Sequence, residues 1–75
     1  GKQGKKMQKY FRKMLKDPKN KEYNDKIYYE MANYELKYSR YDKGREYLNK
    51  SLKTEIQNPT QKGYTYLKLG ELNYE

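Results

Sequence analysis

IYYEMANYELKYSRYDKGREYL, residues Ile27 to Leu48, carries six of the eleven tyrosines of this 75-residue chain. How those rings are read decides the fold. The chain has no Trp, no Val and one Phe. Leu, Ile, Val and Phe together make only ten of the 75 residues, and 37% of the chain is charged. That composition usually marks a chain too polar to bury a core. Patterned tyrosine reverses the balance, because each ring buries a large apolar area while its hydroxyl stays at a wet edge. Two roles compete for tyrosines set among lysines. They can stack on the bases of single-stranded nucleic acid, or they can be the large residues of a helical repeat core.

Working outward from this stretch, four helical segments emerge. Met7, Tyr10, Phe11, Met14 and Leu15 fall at the spacing of one helix face. The sequence DPKN (Asp17 to Asn20) ends that segment, since the residue before Pro18 is pushed out of helical conformation. Asn24 or Asp25 is available to cap the second segment, which carries Ile27, Tyr28, Met31, Ala32, Tyr34 and Tyr38 on one broad face. Ser39 to Asp42 reads as a tight turn. The third segment carries Gly44, Tyr47, Leu48, Ser51 and Leu52. NPTQ (Asn58 to Gln61) opens the fourth, with Asn58 as cap, Pro59 at the first helical position and Gln61 placed to reach back. Tyr66, Leu67, Leu69, Gly70 and Tyr74 follow. No segment alternates convincingly with period two, so strands are not expected.

The charge is uneven. Residues 1–21 carry the whole net charge of +8, and residues 22–75 are neutral. Lys5, Lys6, Lys9, Arg12, Lys13 and Lys16 surround the apolar stripe of the first segment, where the plainest reading is a solvated outer face. Contacts to nucleic acid, to anionic lipid or to an acidic partner are the functional readings of the same feature. There is no Cys and no His, so disulfide and thiol chemistry are excluded and the commonest general base and metal ligand are absent. Glu30, Glu35, Asp42 and Glu46 lie among lysines and read as solvated i,i+4 partners. No catalytic motif, calcium loop or phosphate-cradling glycine run is present. No enzyme activity, cofactor, metal or small-molecule substrate is expected.

A period links the segments. Tyr28-x-x-Met31-Ala32 recurs as Tyr66-x-x-Leu69-Gly70, and Met7-x-x-x-Phe11-x-x-Met14-Leu15 recurs as Gly44-x-x-x-Leu48-x-x-Ser51-Leu52. The first half-motif resembles the W-x-x-L-G slot of a tetratricopeptide repeat, with Tyr in the Trp place, and the second resembles its A-x-x-x-F slot. Small residues (Ala32, Gly44, Gly70) let paired helices approach, and large ones (Tyr28, Leu48, Phe11, Tyr66) fill the groove beside them. Tyr28 and Tyr41 are expected at repeat core slots, and Tyr34, Tyr38 and Tyr47 between neighbouring helices. Glu35, Ser39 and Ser51 depart from the repeat pattern, standing where an aromatic, a turn glycine and a small Ala are usual. The expected fold is all-α: antiparallel tetratricopeptide-like hairpins in a short right-handed solenoid of four helices. Residues 1–17 would be helix B of one repeat, 24–53 a full A–B repeat, and 58–75 helix A of the next. A section of a longer solenoid is the expected object.

KNKEYNDKIYY (Lys19 to Tyr29) and NPTQKGYTYLKLG (Asn58 to Gly70), within similarity covering most of the chain after Lys16, resemble a narrower group. They are similar to the SprE/PorW-type repeat lipoproteins of Bacteroidetes that serve gliding motility and type IX secretion. The resemblance implies a periplasm-facing assembly factor tethered to the outer membrane, touching the membrane only through the parent's lipid anchor.

Repeat solenoids bind partners on the concave surface lined by helix A. The residues expected there are Lys26, Tyr29, Asn33 and Lys37, with Tyr64, Leu67, Glu71 and Tyr74 as the equivalent set. Lys26 and Asn33 fall where some tetratricopeptide proteins clamp a terminal carboxylate, but Tyr29 stands where that clamp carries a cation. The expected function is a non-enzymatic scaffold for a protein or peptide partner. The alternative is a basic module binding single-stranded nucleic acid. It is disfavoured because the net-basic segment holds only Tyr10, while the tyrosine-dense remainder is neutral.

Overall fold

Pro18 sets the first boundary. Asp17 before it is extended (φ −77°, ψ 117°), so α1 (Lys2–Lys16) stops there. The Asp17 carboxylate accepts the Lys19 N–H at 3.0 Å and caps a 3₁₀ segment, Pro18–Tyr23. This segment runs directly into α2 (Asn24–Lys37). Neither Asn24 nor Asp25 caps α2, contrary to expectation: Asn24 N–H already donates to the Lys21 carbonyl, so helical bonding begins before either side chain could start it. The remaining helices are α3 (Tyr41–Ser51) and α4 (Pro59–Asn73). Asn58 Oδ1 accepts the Gln61 N–H at 3.0 Å as the cap of α4, with Pro59 at its first position. The Gln61 side chain lies 3.4 Å from the Thr65 hydroxyl, reaching forward rather than back. The structure is a computed structural model describing residues 1–74; Glu75, included in the expected fourth segment, lies outside them. Among the described residues it is all-α, with four α-helices and no strand.

The α2–α3 turn shows why Ser39 matters. Ser39 N–H donates to the Leu36 carbonyl and Arg40 N–H to the Glu35 carbonyl, each at 3.0 Å, which satisfies the last carbonyls of α2. This closure puts Ser39 at φ 60°, the left-handed region where a glycine is usual. Beyond the turn, α3 folds back along α2 as an antiparallel hairpin. Gly44 near the start of α3 meets Leu36 near the end of α2, and Ser51 at the end of α3 meets Asp25 at the start of α2. A Cβ on Gly44 would sit 2.7 Å from Leu36 Cγ, so any larger residue would force the Leu36 side chain to move. Leu48 and Ala32 are fully buried between the helices, and Leu72 of α4 closes the same cluster.

Apolar burial is sparse. Ile27, Met31, Ala32, Leu48 and Leu72 are the buried hydrophobic residues. Four polar residues are buried beside them: Asp25, Glu35, Ser51 and Thr65. Ser51 Oγ donates to the Asp25 carbonyl at 2.8 Å and stands 3.2 Å from the Thr65 hydroxyl, which donates to the Gln61 carbonyl at 3.0 Å. Asp25 Oδ2 accepts the Asn58 N–H at 2.8 Å, and Oδ1 accepts the Lys26 N–H at 2.8 Å. One polar knot thus joins α2, α3, α4 and the α3–α4 loop. Glu35 is buried, not solvated as expected. Its carboxylate accepts three hydrogen bonds from the Arg40 guanidinium, the shortest 2.8 Å, with Arg40 also lying over the Tyr34 and Tyr38 rings.

The tyrosines divide differently from the sequence expectation. Tyr28 is half-buried and stacks on Tyr47, with ring centroids 6.3 Å apart. Tyr34 meets Tyr38 edge-on at 5.3 Å. Tyr41, expected in the core, is 45% exposed, because it opens α3 at the edge of the α3–α4 junction. Tyr66, also expected to fill a groove, is 56% exposed, and Thr65 and Leu72 are the buried residues of α4. The helix packs through the face adjacent to the one read from the motif.

Two substitutions test this packing. Gly44→Ala should destabilise by roughly 1–2 kcal/mol, since overpacking against Leu36 exceeds the gain in helix propensity. Gly70→Ala, which meets open space, should stabilise by up to about 1 kcal/mol. Urea unfolding that moves both midpoints the same way would contradict the packing. At the turn, Ser39→Gly should raise stability by roughly 0.5–1 kcal/mol through relief of the left-handed strain, read from the same midpoints.

Candidate functional site

The chain's longest connection, between α3 and α4, is pulled against α2 by the Asp25–Asn58 bond. That tether leaves an open cleft of about 660 Å³ between the N-terminal halves of α2 and α4. Tyr23, Tyr29 and Tyr64 supply aromatic walls, and Ile56 and Pro59 an apolar lip. Glu22, Lys26 and Glu30 set mixed charge along the α2 side. The Asp25 carboxylate also lines the cleft, but both its oxygens already accept backbone N–H groups. Gln57 Nε2 donates to the Ser51 and Thr54 carbonyls, bracing the loop, while its Oε1 has no hydrogen-bond partner among the described residues.

Of the eight residues expected to meet a partner, Lys26, Tyr29 and Tyr64 line this cleft. Tyr64 is 54% exposed and free to make contacts. Tyr29 has two roles, since it also packs on the Ala32–Leu48–Leu72 cluster. Asn33 does not line the cleft, so the structure does not bring it together there with Lys26 as a carboxylate clamp would need. Lys37 lies 5.8 Å from the Tyr38 ring centroid, and Glu71 pairs with Lys68 at 3.7 Å. Leu67 on α4 and Tyr74 just past its end are exposed and lie outside the cleft. Tyr23, Ile56 and Pro59 were not expected here. Tyr23 ends a 3₁₀ segment and Ile56 sits in a loop, so neither falls on a helical stripe that periodicity could detect.

Two ion pairs away from the cleft shift the ionisation of their own groups. The hydrogen bond to Glu35 raises the Arg40 pKa, and the hydrogen bond to Glu46 raises that of Lys43. The Lys43 hydrogen bond in turn lowers the Glu46 carboxyl below its ordinary value. None of these groups lines the α2–α4 cleft. Among the described residues, no group of three His, Cys, Asp or Glu side chains is placed to hold a metal ion. No described helix is long and apolar enough to cross a membrane. The arrangement offers aromatic surface, a lysine ammonium and flanking carboxylates, which suits a peptide with alternating apolar and polar groups.

The tether is testable. Asp25→Ala should cost roughly 1–3 kcal/mol, because two part-buried backbone donors lose a charged acceptor. Asp25→Asn, which keeps one acceptor oxygen, should cost less in the same urea titration; equal losses would contradict the double role of the carboxylate. Compared with known proteins, the chain matches no family model, no curated protein and no solved structure.

Proposed function

We propose that this chain is a section of a tetratricopeptide-like right-handed solenoid that holds a protein or peptide partner in the α2–α4 cleft without catalysis. One observation carries the reading: α4 repeats the packing of α2 toward the preceding helix. On the α1 side, α2 presents Ile27, with Lys26 and Glu30, beside Phe11 and Met14, and Tyr34 beside Gly4; of these, Ile27 is buried and Tyr34 half-buried. Thirty-eight positions on, Thr65 and Leu72 are the buried residues of α4, turned to α3. The two helices are thus related as successive A helices, and the cleft lies between them, where such solenoids take their partners. The loop sequences KNKEYNDKIYY and NPTQKGYTYLKLG support an envelope setting within the gliding and type IX secretion apparatus, facing the periplasm in a lipid-anchored parent.

The test is selection of displayed peptides against the wild-type chain, followed by affinity measurement on variants. Tyr64→Ala and Lys26→Ala are surface changes and should leave unfolding within about 0.5 kcal/mol of wild type. Each should weaken the selected peptides about tenfold or more. Peptides that bind both variants as tightly as wild type would remove the cleft from the function. A labelled single-stranded oligonucleotide bound at physiological salt, and released steeply above it, would replace this reading with the nucleic-acid one.

A further inference from the structure

Carboxylate is the scarce charge in this chain, with 10 Asp and Glu against 18 Lys and Arg. Nearly every described carboxylate is engaged. Outside the α2–α4 cleft, each is paired with a Lys or Arg side chain or, at Asp17, with a backbone N–H. Asp25, inside the cleft, is occupied by two backbone N–H groups. Glu22 and Glu30 are the exceptions. Both are exposed, both line the cleft, and neither pairs with any side chain among the described residues. Lys26 stands four residues from each, the spacing that commonly forms a helical pair, and bridges to neither.

The aromatic walls repeat this pattern. Tyr34, Tyr38 and Tyr47 each have a Lys or Arg within 5.8 Å of the ring centroid. Tyr23, Tyr29 and Tyr64 line the cleft with neither a cation nor a second ring against them among the described residues. Gln57 adds a buried acceptor on the same wall. Its Nε2 is held by the Ser51 and Thr54 carbonyls, which only accept, so the unpartnered atom is the oxygen, Oε1. The cleft has both its walls and its lip within residues 22–64, so the outer faces of α1 and α4 take no part in it.

The α2–α3 turn shows what such side chains hold. There the Arg40 guanidinium forms three hydrogen bonds to the Glu35 carboxylate and lies 4.9 and 5.8 Å from the Tyr38 and Tyr34 ring centroids. The cleft presents the same kinds of group, carboxylates beside tyrosine rings, without a guanidinium among them. We propose that the partner held in the cleft is a peptide that inserts an arginine side chain between the Tyr29 and Tyr64 rings and the Glu22 and Glu30 carboxylates. The inference rests on the cleft reading given above and names the chemistry of its occupant.

Arginine suits an open cleft better than lysine. Its planar guanidinium is weakly hydrated, stacks on a ring and still directs its N–H groups in plane at carboxylates. Lys26 does not oppose this. Its three donors are free for the carbonyls of the same peptide, which accept hydrogen bonds without carrying charge. The total charge of +8 does not oppose it either. At physiological salt, screening acts over about 8 Å. A guanidinium in the cleft therefore answers to the groups that line it, three carboxylates against one ammonium.

Peptides selected by display against the 75-residue chain at about 0.15 M salt test the proposal. Those whose binding depends on Tyr64, judged with Tyr64→Ala, should carry an arginine. Replacing that arginine with citrulline, which keeps the shape and removes the charge, should weaken binding fivefold or more. Lysine in its place should also bind more weakly than arginine. The chain bearing both Glu22→Gln and Glu30→Gln alters only exposed side chains and should keep wild-type circular dichroism. It should bind the arginine peptide no better than wild type binds the citrulline one, and bind the citrulline peptide within twofold of wild type. Tyr64-dependent peptides that lack arginine, or that lose less than fivefold on citrulline replacement, would overturn the arginine seat and leave the cleft reading standing. Equal losses of both peptides on the double variant would overturn the pairing with Glu22 and Glu30. A selection that yields no Tyr64-dependent peptide would overturn the cleft reading, and this proposal with it.

Discussion

The Ser51 hydroxyl is the point on which this small structure turns. It donates to the Asp25 carbonyl and sits against the Thr65 hydroxyl, so three helices meet at one buried oxygen. Beside it, the Asp25 carboxylate takes hold of the α3–α4 loop through Asn58. Apolar burial alone is non-directional, and the few buried hydrophobic residues leave the angle between helices weakly specified. Buried hydrogen bonds supply that direction, at the risk that any unmade partner is costly. The same bonds shape the candidate cleft, since its α4 wall and its loop lip hang from Asp25 and Asn58. Fold and site are in this sense one piece of chemistry.

Much of this was legible in the residues. Pro18 and Asn58–Pro59 marked helix boundaries through backbone rules that act locally, and both hold to within a residue or two. Leu48, Ala32 and Gly44 were legible as core because close helix approach demands a small residue beside a large one. The polar knot was not. Asp25 read as a cap and Glu35 as a surface carboxylate, because burial of a charge depends on a partner whose approach is set by tertiary geometry. Asn58 lies 33 positions from Asp25, and Arg40 reaches Glu35 only because the Ser39 turn brings it back. Thr65 was missed for a related reason: a hydroxyl gives no hydrophobic signal, yet it is fully buried when Ser51 and the Gln61 carbonyl engage it. In the cleft, Lys26, Tyr29 and Tyr64 lay on helices and could be placed by periodicity. Tyr23 and Ile56 belong to irregular backbone and could not.

Positive charge and aromaticity turn out to be separated in space as well as in sequence. The cleft combines tyrosines with Lys26 and the carboxylates of Glu22, Asp25 and Glu30, a net-negative surface. The dense positive charge sits on the outer arc of α1, next to a single tyrosine. A partner gripped by aromatic contact and a partner attracted by positive charge would therefore meet different parts of the molecule.

The knot joins α2, α3 and α4 but leaves α1 out. No residue of α1 is buried, and the side chain of Asn20, donating to the Met14 carbonyl at 3.1 Å, ties only its last turn to the segment that follows. Local stability is therefore graded along the chain. The amides of α1 belong to the low end of the opening free-energy scale, where exchange with solvent does not wait for global unfolding. The α2–α3 hairpin, anchored at both ends by buried oxygens, belongs to the high end. A pull on the N-terminus would peel α1 away first and leave the cleft intact behind it.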